Sequence, residues 1–296
     1  MYDKPLFFNH IYKSTLWGHE LWELSANENG LTNICNYDNL NLVDLFNNKE
    51  LKEKIFGTKC NNLDNFPILI KFIEANKDLS IQVHPNDEYA KTHENNQGKN
   101  EVWYVIDCNN DTNIIYGLND KAKDISNKDI VNNIKDYLNY QKINNNDFIS
   151  IPSGTIHAML SGTKVCEIQQ NSDITYRIYD WDRVDSEGNK RELHKDKAID
   201  VINKDTERKI IHCESINDDN LYSTNNFSID MMNINNKKDL ISNPDTFITY
   251  IVISGKGKIK TNNYEEEIKE GSIFLIPSSL GEYELIGNMK LLKVYM

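Results

Sequence analysis

No stretch of the 296 residues reaches 18 uninterrupted apolar positions, which excludes a membrane-spanning helix. Residues 1–14 lack a basic head followed by an apolar run and a small-residue cleavage site, so no secretory signal is expected. The five cysteines (35, 60, 108, 166, 213) are odd in number, widely spaced and never arranged as Cys-x-x-Cys. They are expected to be free thiols of a reducing, cytoplasmic compartment, neither a disulfide frame nor a cysteine-type zinc site. Positive charge is also short. Lys and Arg number 33 against 45 Asp and Glu, a net charge of −12, and such a surface opposes binding to a nucleic-acid backbone. A small anionic substrate is still compatible, because a few buried cations can dominate locally. No repeat of 20–50 residues is exact.

With 39% hydrophobic and 26% charged residues, the chain has a globular composition long enough for two cores. Residues 39–57 read as helix, with Leu42, Leu45 and Phe46 at helical spacing and Gly57 as the stop. Residues 126–140 read as a second helix, with Ser126 as N-cap and Ile130, Ile134 and Leu138 on one face. Short strands fill most of the rest, and beyond about residue 203 the pattern is almost all strand and turn. One element recurs: Asn146-x5-Pro152 and Gly271-x5-Pro277, each a turn, an apolar strand and a proline. The expected architecture is mainly β: two related units at 1–200 and 201–296, with a small helical insert in the first.

Three short runs carry candidate chemistry. In Ser80-Ile81-Gln82-Val83-His84 the polar positions share one face of a strand. By itself this strand equally fits a solvent-facing edge. Lys99 and Glu101 share a face in the same way, as an exposed pair on a strand would. In Pro152-Ser153-Gly154-Thr155-Ile156-His157 a tight turn reverses the chain, and His157 opens the next strand as either a ligand or a packed core residue. Together, one amide oxygen, two imidazoles and one carboxylate form a plausible donor set for a divalent transition metal, with positions left for water or substrate. A fourth run, from Glu167 to Arg183, reads as two strands joined by an Asn-Ser-Asp turn. Glu167 faces the interior with Arg177 if the register allows. Arg183 equally fits a local salt bridge with Asp180 or Asp182.

These runs resemble the type I mannose-6-phosphate isomerases, and most closely their short bacterial form. The resemblance lies in Asp78–Asp87, Gly98–Tyr104, Ile151–Ala158 and Gln169–Asp180, and in Trp17-Gly18 and Trp22–Gly30 near the start. It implies two cupin barrels of the double-stranded β-helix, or jelly-roll, type. It implies one Zn²⁺ per chain, held by Gln82, His84, Glu101 and His157. Arg177 matches the family's catalytic arginine. Glu167 and Lys99 match further catalytic positions, and Ser80, Asp173 and Arg183 match substrate-binding ones. Departures occur at His19 and Asn146, where the family usually has glycine, and in a shortened helical insert; none touches a ligand position. No histidine follows His212, so the second unit cannot hold the same metal site and reads as a degenerate cupin.

The implied reaction interconverts mannose 6-phosphate and fructose 6-phosphate through an enediol(ate), in a monomer or homodimer with a phosphorylated sugar as its partner. Arg177 suits oxyanion or phosphate contact, Lys99 phosphate contact or proton shuttling, and Glu167 the base. A metal-dependent oxygenase of the same superfamily is disfavoured by Gln82, which stands where that class usually has histidine. A sugar-binding cupin without turnover is disfavoured by the intact donor set beside Arg177.

Overall fold

The computed structural model describes residues 3–37, 40–185 and 187–296. Asn39, where the first predicted helix was expected to begin, lies outside them. The chain divides into two compact units. One comprises 12–21 and 70–214, the other 1–11, 22–69 and 215–296.

The first unit is built on two sheets. In the five-stranded sheet the order is Leu138–Lys142, Asn113–Leu118, His157–Ala158, Ile81–Val83, Tyr176–Tyr179. The seven-stranded sheet runs Lys209–His212, Asp147–Ile151, Glu101–Cys108, Thr163–Gln170, Ile68–Ala75, Gly18–Leu24, Ile11–Ser14. Alternation of side chains gives the smaller sheet two different faces. Ile81, Val83, Ile115, Ala158, Tyr176 and Ile178 pack outward against Ile130 and Val131 of the helix Asn127–Asn132 and Ala198 of the helix Lys195–Val201. On the other face, Ile114 and Tyr116 join Trp103, Val105, Ile149, Ile151 and Val165 of the larger sheet in a shared core. The residues interleaved with the outward set, Gln82, His157 and Arg177, therefore face the larger sheet.

The second unit contains an eight-stranded sheet. Its central strands Ser228–Ile241, Glu282–Tyr295 and Ile248–Lys260 form the long middle ladders. Its core is apolar, with Tyr250, Phe274, Leu285 and Leu291 among its buried members, and the hydroxyls of Tyr250 and Tyr283 hydrogen-bond to each other at 2.8 Å.

The expected jelly-roll barrels are not formed. No sheet closes on itself: each path among the described residues ends at two edge strands. At Tyr176–Tyr179 the physical reason is visible. The outer backbone groups of Arg177 are already bonded by His194, whose Nδ1 accepts from Arg177 N at 3.2 Å and whose N donates to Arg177 O at 2.8 Å. A loop residue thus occupies the edge that a closing strand would need.

The predicted helix at 39–57 is two helices, Leu42–Asn47 and Lys49–Phe56. Asn48 divides them: its backbone is extended, and its side chain accepts from Glu50 N to start the second. The helix predicted at 126–140 does start at Ser126, which accepts from Asp129 N, but it ends at Asn132. Leu138–Lys142 instead pairs with Asn113–Leu118, so long-range ladder bonds override helical spacing. The recurring turn has one backbone explanation. Asn146 (φ 68°) and Gly271 (φ 83°) both take the left-handed conformation, which glycine adopts freely and asparagine tolerates.

Candidate metal centre and active site

The five-stranded sheet places its polar residues in one cross-strand row. His157 pairs with Gln82, and Gln82 pairs with Arg177 on its other side. Directly opposite residues share a face, so the three side chains are neighbours. His84, two residues beyond Gln82, extends the same face. The seven-stranded sheet supplies Glu101, and next along its strand Trp103, which pairs with Glu167.

His84, Glu101 and His157 converge, with one donor atom from each lying within 4.8 Å of the others. Their relative exposures are 1%, 0% and 0%. His157 Nε2 lies 3.1 Å from Glu101 Oε1, and His84 Nε2 lies 3.4 Å from Glu101 Oε2. Each imidazole is oriented from behind. His84 Nδ1 is 2.8 Å from Ile174 O, and His157 Nδ1 is 2.9 Å from Thr155 O. A carbonyl can only accept, so Nδ1 carries the proton in both rings and each Nε2 lone pair points into the cluster. His84 Nε2 and both oxygens of Glu101 make no hydrogen bond of good geometry. Buried acceptors in that condition are costly, and a divalent cation would satisfy all of them together.

The electrostatics agree. Burial, reinforced by the Lys99 charge, depresses the His84 pKa to about 3, so the ring is neutral, as a ligand must be. Burial opposes ionisation of Glu101, but the Lys99 ammonium outweighs it and holds the carboxyl well below its usual range. Lys99 Nζ sits 2.9 Å from Glu101 Oε2. Gln82 stands at the edge of the cluster, its amide nitrogen 3.3 Å from His157 Nε2 and its amide oxygen accepting from Ser80 Oγ at 3.3 Å.

Glu167 belongs to the same buried group. Trp103 Nε1 donates to its Oε2 at 2.9 Å, while Lys71 and Lys99 lie 3.2 and 4.0 Å from its Oε1. Lys71 was not singled out from the sequence. It is only 6% exposed and also lies 3.9 Å from Glu20. Its signal was a single lysine inside the apolar run Ile68-Leu69-Ile70-Lys71-Phe72-Ile73, because a cation buried in a strand needs carboxylate partners.

Arg177 is half-buried. Its Nη1 donates to Glu192 O at 2.8 Å, and its Nε has no acceptor. Burial and the nearby Arg191 charge lower its pKa from the ordinary arginine value. Arg183 forms the local salt bridge that was one of its two sequence readings, to Asp180, and also donates to Asp78 O at 2.6 Å. Asp173 is exposed at the turn; burial lowers the pKa of Lys13, and the charges of Glu20 and, more weakly, Asp173 oppose that.

Two packed, open β-sheets that aim two imidazoles and a carboxylate at one buried point define a metal-binding protein of the cupin class. Residues 9–120 match the family described as phosphomannose isomerase type I, catalytic domain, and residues 217–296 match mannose-6-phosphate isomerase, cupin domain. The chain is 38% identical to the mannose-6-phosphate isomerase ManA of Bacillus subtilis over 97% of both chains. It is 30% identical to the mannose-6-phosphate isomerase of Streptococcus mutans, over 98% of this chain and 97% of that one. A crystal structure of the mannose 6-phosphate isomerase from Bacillus subtilis superposes with a TM-score of 0.85 at 30% identity, over 99% of both chains. The chain belongs to the type I mannose-6-phosphate isomerase family. No helix among the described residues is long and apolar enough to cross a membrane.

Proposed function

We infer that this chain is an aldose–ketose isomerase that interconverts D-mannose 6-phosphate and D-fructose 6-phosphate. The observation that carries the inference is the buried His84–Glu101–His157 cluster with Arg177 one strand away across Gln82. The metal assigned to it is one Zn²⁺ per chain, with His84, Glu101 and His157 as ligands. Gln82 is the fourth, once its amide turns the oxygen held by Ser80 toward the cluster. Bound there, the ion supplies a Lewis acid for a carbonyl or hydroxyl oxygen of the sugar.

The chain's own residues divide the remaining work. Isomerisation breaks the C2–H bond of the aldose and forms a C1–H bond, while a hydroxyl proton leaves O2 and one arrives at O1. Glu167 takes the proton from C2 and returns it to C1, acting from a position fixed by the Trp103 indole. Lys71 and Lys99 flank its Oε1 and balance its charge when the carboxylate is ionised. Arg177 cannot serve as a base. Its free Nε and remaining donors suit the developing enediolate oxygen or the phosphate. Ser80 orients Gln82, and Asp173 and Arg183 contact the substrate farther from the reacting carbons.

The test is a coupled assay for fructose 6-phosphate from mannose 6-phosphate, before and after chelation and after Zn²⁺ is restored. Loss followed by recovery is expected. Absence of turnover in fully metallated protein would overturn the reading.

A further inference from the structure

Arg191 has no part in the reaction as described, yet it is firmly anchored near Arg177. Its fork meets one buried carboxylate twice: Nε donates to Asp180 Oδ2 at 2.8 Å and Nη2 to Asp180 Oδ1 at 2.5 Å. Its guanidinium also lies 4.7 Å from the centre of the Trp17 ring. Asp180 is 5% exposed and also receives Arg183. One carboxylate therefore ties down residues 183 and 191, at both ends of a stretch that holds no helix or strand among its described residues.

The turn that aims Asp180 is itself unusual. Trp181 (φ 57°) and Asp182 (φ 54°) are consecutive left-handed residues, a costly conformation for a bulky side chain. Trp181 is held there by its indole, which donates to Leu79 O at 2.7 Å. The clasped stretch leads straight to Arg177. Glu192, next to Arg191, offers its carbonyl to Arg177 Nη1, and His194 bonds both backbone groups of Arg177. That carbonyl is the one hydrogen-bond partner of the Arg177 guanidinium among the described residues.

We propose that Arg191 is a positioning residue: gripped by Asp180 and seated over the Trp17 ring, it holds the Glu192 carbonyl where it aims the Arg177 guanidinium at the substrate. The proposal rests on the isomerase reading above. Lysine keeps the charge at this position but loses the two-pronged contact with Asp180. Arg177 would then lose its aim while the metal cluster stayed intact.

The experiment compares wild type, R191K, R177K and the double variant in the mannose 6-phosphate assay, with metal content measured for each. R191K is expected to keep its metal and lose about ten- to a hundred-fold in kcat, the scale of a small misplacement of a reacting group. In the R177K background the same change should cost less than about two-fold, because the group it positions is gone. Free guanidinium should restore part of the turnover of R191A, which a fold defect would not allow. Wild-type-like kcat for R191K, or an equal loss in both backgrounds, overturns the proposal. Absence of turnover in metallated wild type would instead bring down the isomerase reading on which it rests.

Discussion

Arg177 stands directly opposite Gln82 in the antiparallel ladder between Tyr176–Tyr179 and Ile81–Val83. That register sets a permanent cation beside the metal-binding face without making it a ligand. Replacing Arg177 with alanine is expected to lower kcat at least a hundred-fold, the usual scale for one oriented charge at a developing oxyanion. Metal content should be unchanged. Near-normal turnover, or protein purified without metal, would remove the role assigned to Arg177.

Glu101 is assigned two functions in one carboxylate, a ligand in the proposed metal site and the counter-ion to buried Lys99. Glu101→Gln should lose metal and stability together. Leaving a buried lysine short of its partner costs about 3–5 kcal/mol. Titration of Zn²⁺ into chelated protein, followed by thermal unfolding, separates the two effects. Wild type should rise in Tm with Zn²⁺, and the variant should start lower and respond little. A variant that matched wild type in both would contradict the site.

Trp103 and Glu167 are linked by a buried hydrogen bond of 2.9 Å. Glu167→Gln is expected to reduce kcat strongly while metal stays bound. Trp103→Phe removes the donor together with one ring of the indole, so its expected loss in kcat is smaller, about ten-fold, and its stability cost combines about 1–3 kcal/mol for the lost hydrogen bond with that of the cavity left behind. Equal activity of Glu167→Gln and wild type would exclude Glu167 as the base.

Glu23 lies in the second unit, where burial raises its pKa to about 7 from 4.5; its nearest basic group is His10, at 4.0 Å. Between those two pH values the folded state binds more protons than the unfolded state, so this group's contribution to stability falls as pH rises. Glu23→Gln should therefore be more stable than wild type at pH 8, by up to about 3 kcal/mol, and no more stable at pH 4.5. Urea unfolding of both proteins at the two pH values gives the difference directly. A gap of the same size at both would refute the assignment.

Strand alternation showed which polar side chains share a face, but it fitted a solvent-facing edge as well as a metal site; the family resemblance is what singled out His84, Glu101 and His157, which the fold brings together. A period of two put Ser80, Gln82 and His84 on one face, and the tight turn before His157 placed it at a strand start while leaving it open as ligand or core residue. The Ser126 cap was legible because an N-cap bonds three residues away. Lys71, the Asp180–Arg191 clasp and the open sheet edges were not. Each depends on partners far along the chain: Lys71 meets Glu167, Trp103 meets Glu167 across 64 positions, and His194 caps the edge at Arg177. The sequence by itself determined the residue types, their local faces and the absence of a histidine-based site after His212. Only the tertiary structure decided that Glu101 lies between the two imidazoles and that the sheets stay open. Both follow from which strands pair and what occupies their edges, and those choices are made by hydrogen bonds and packing between segments that no local periodicity connects.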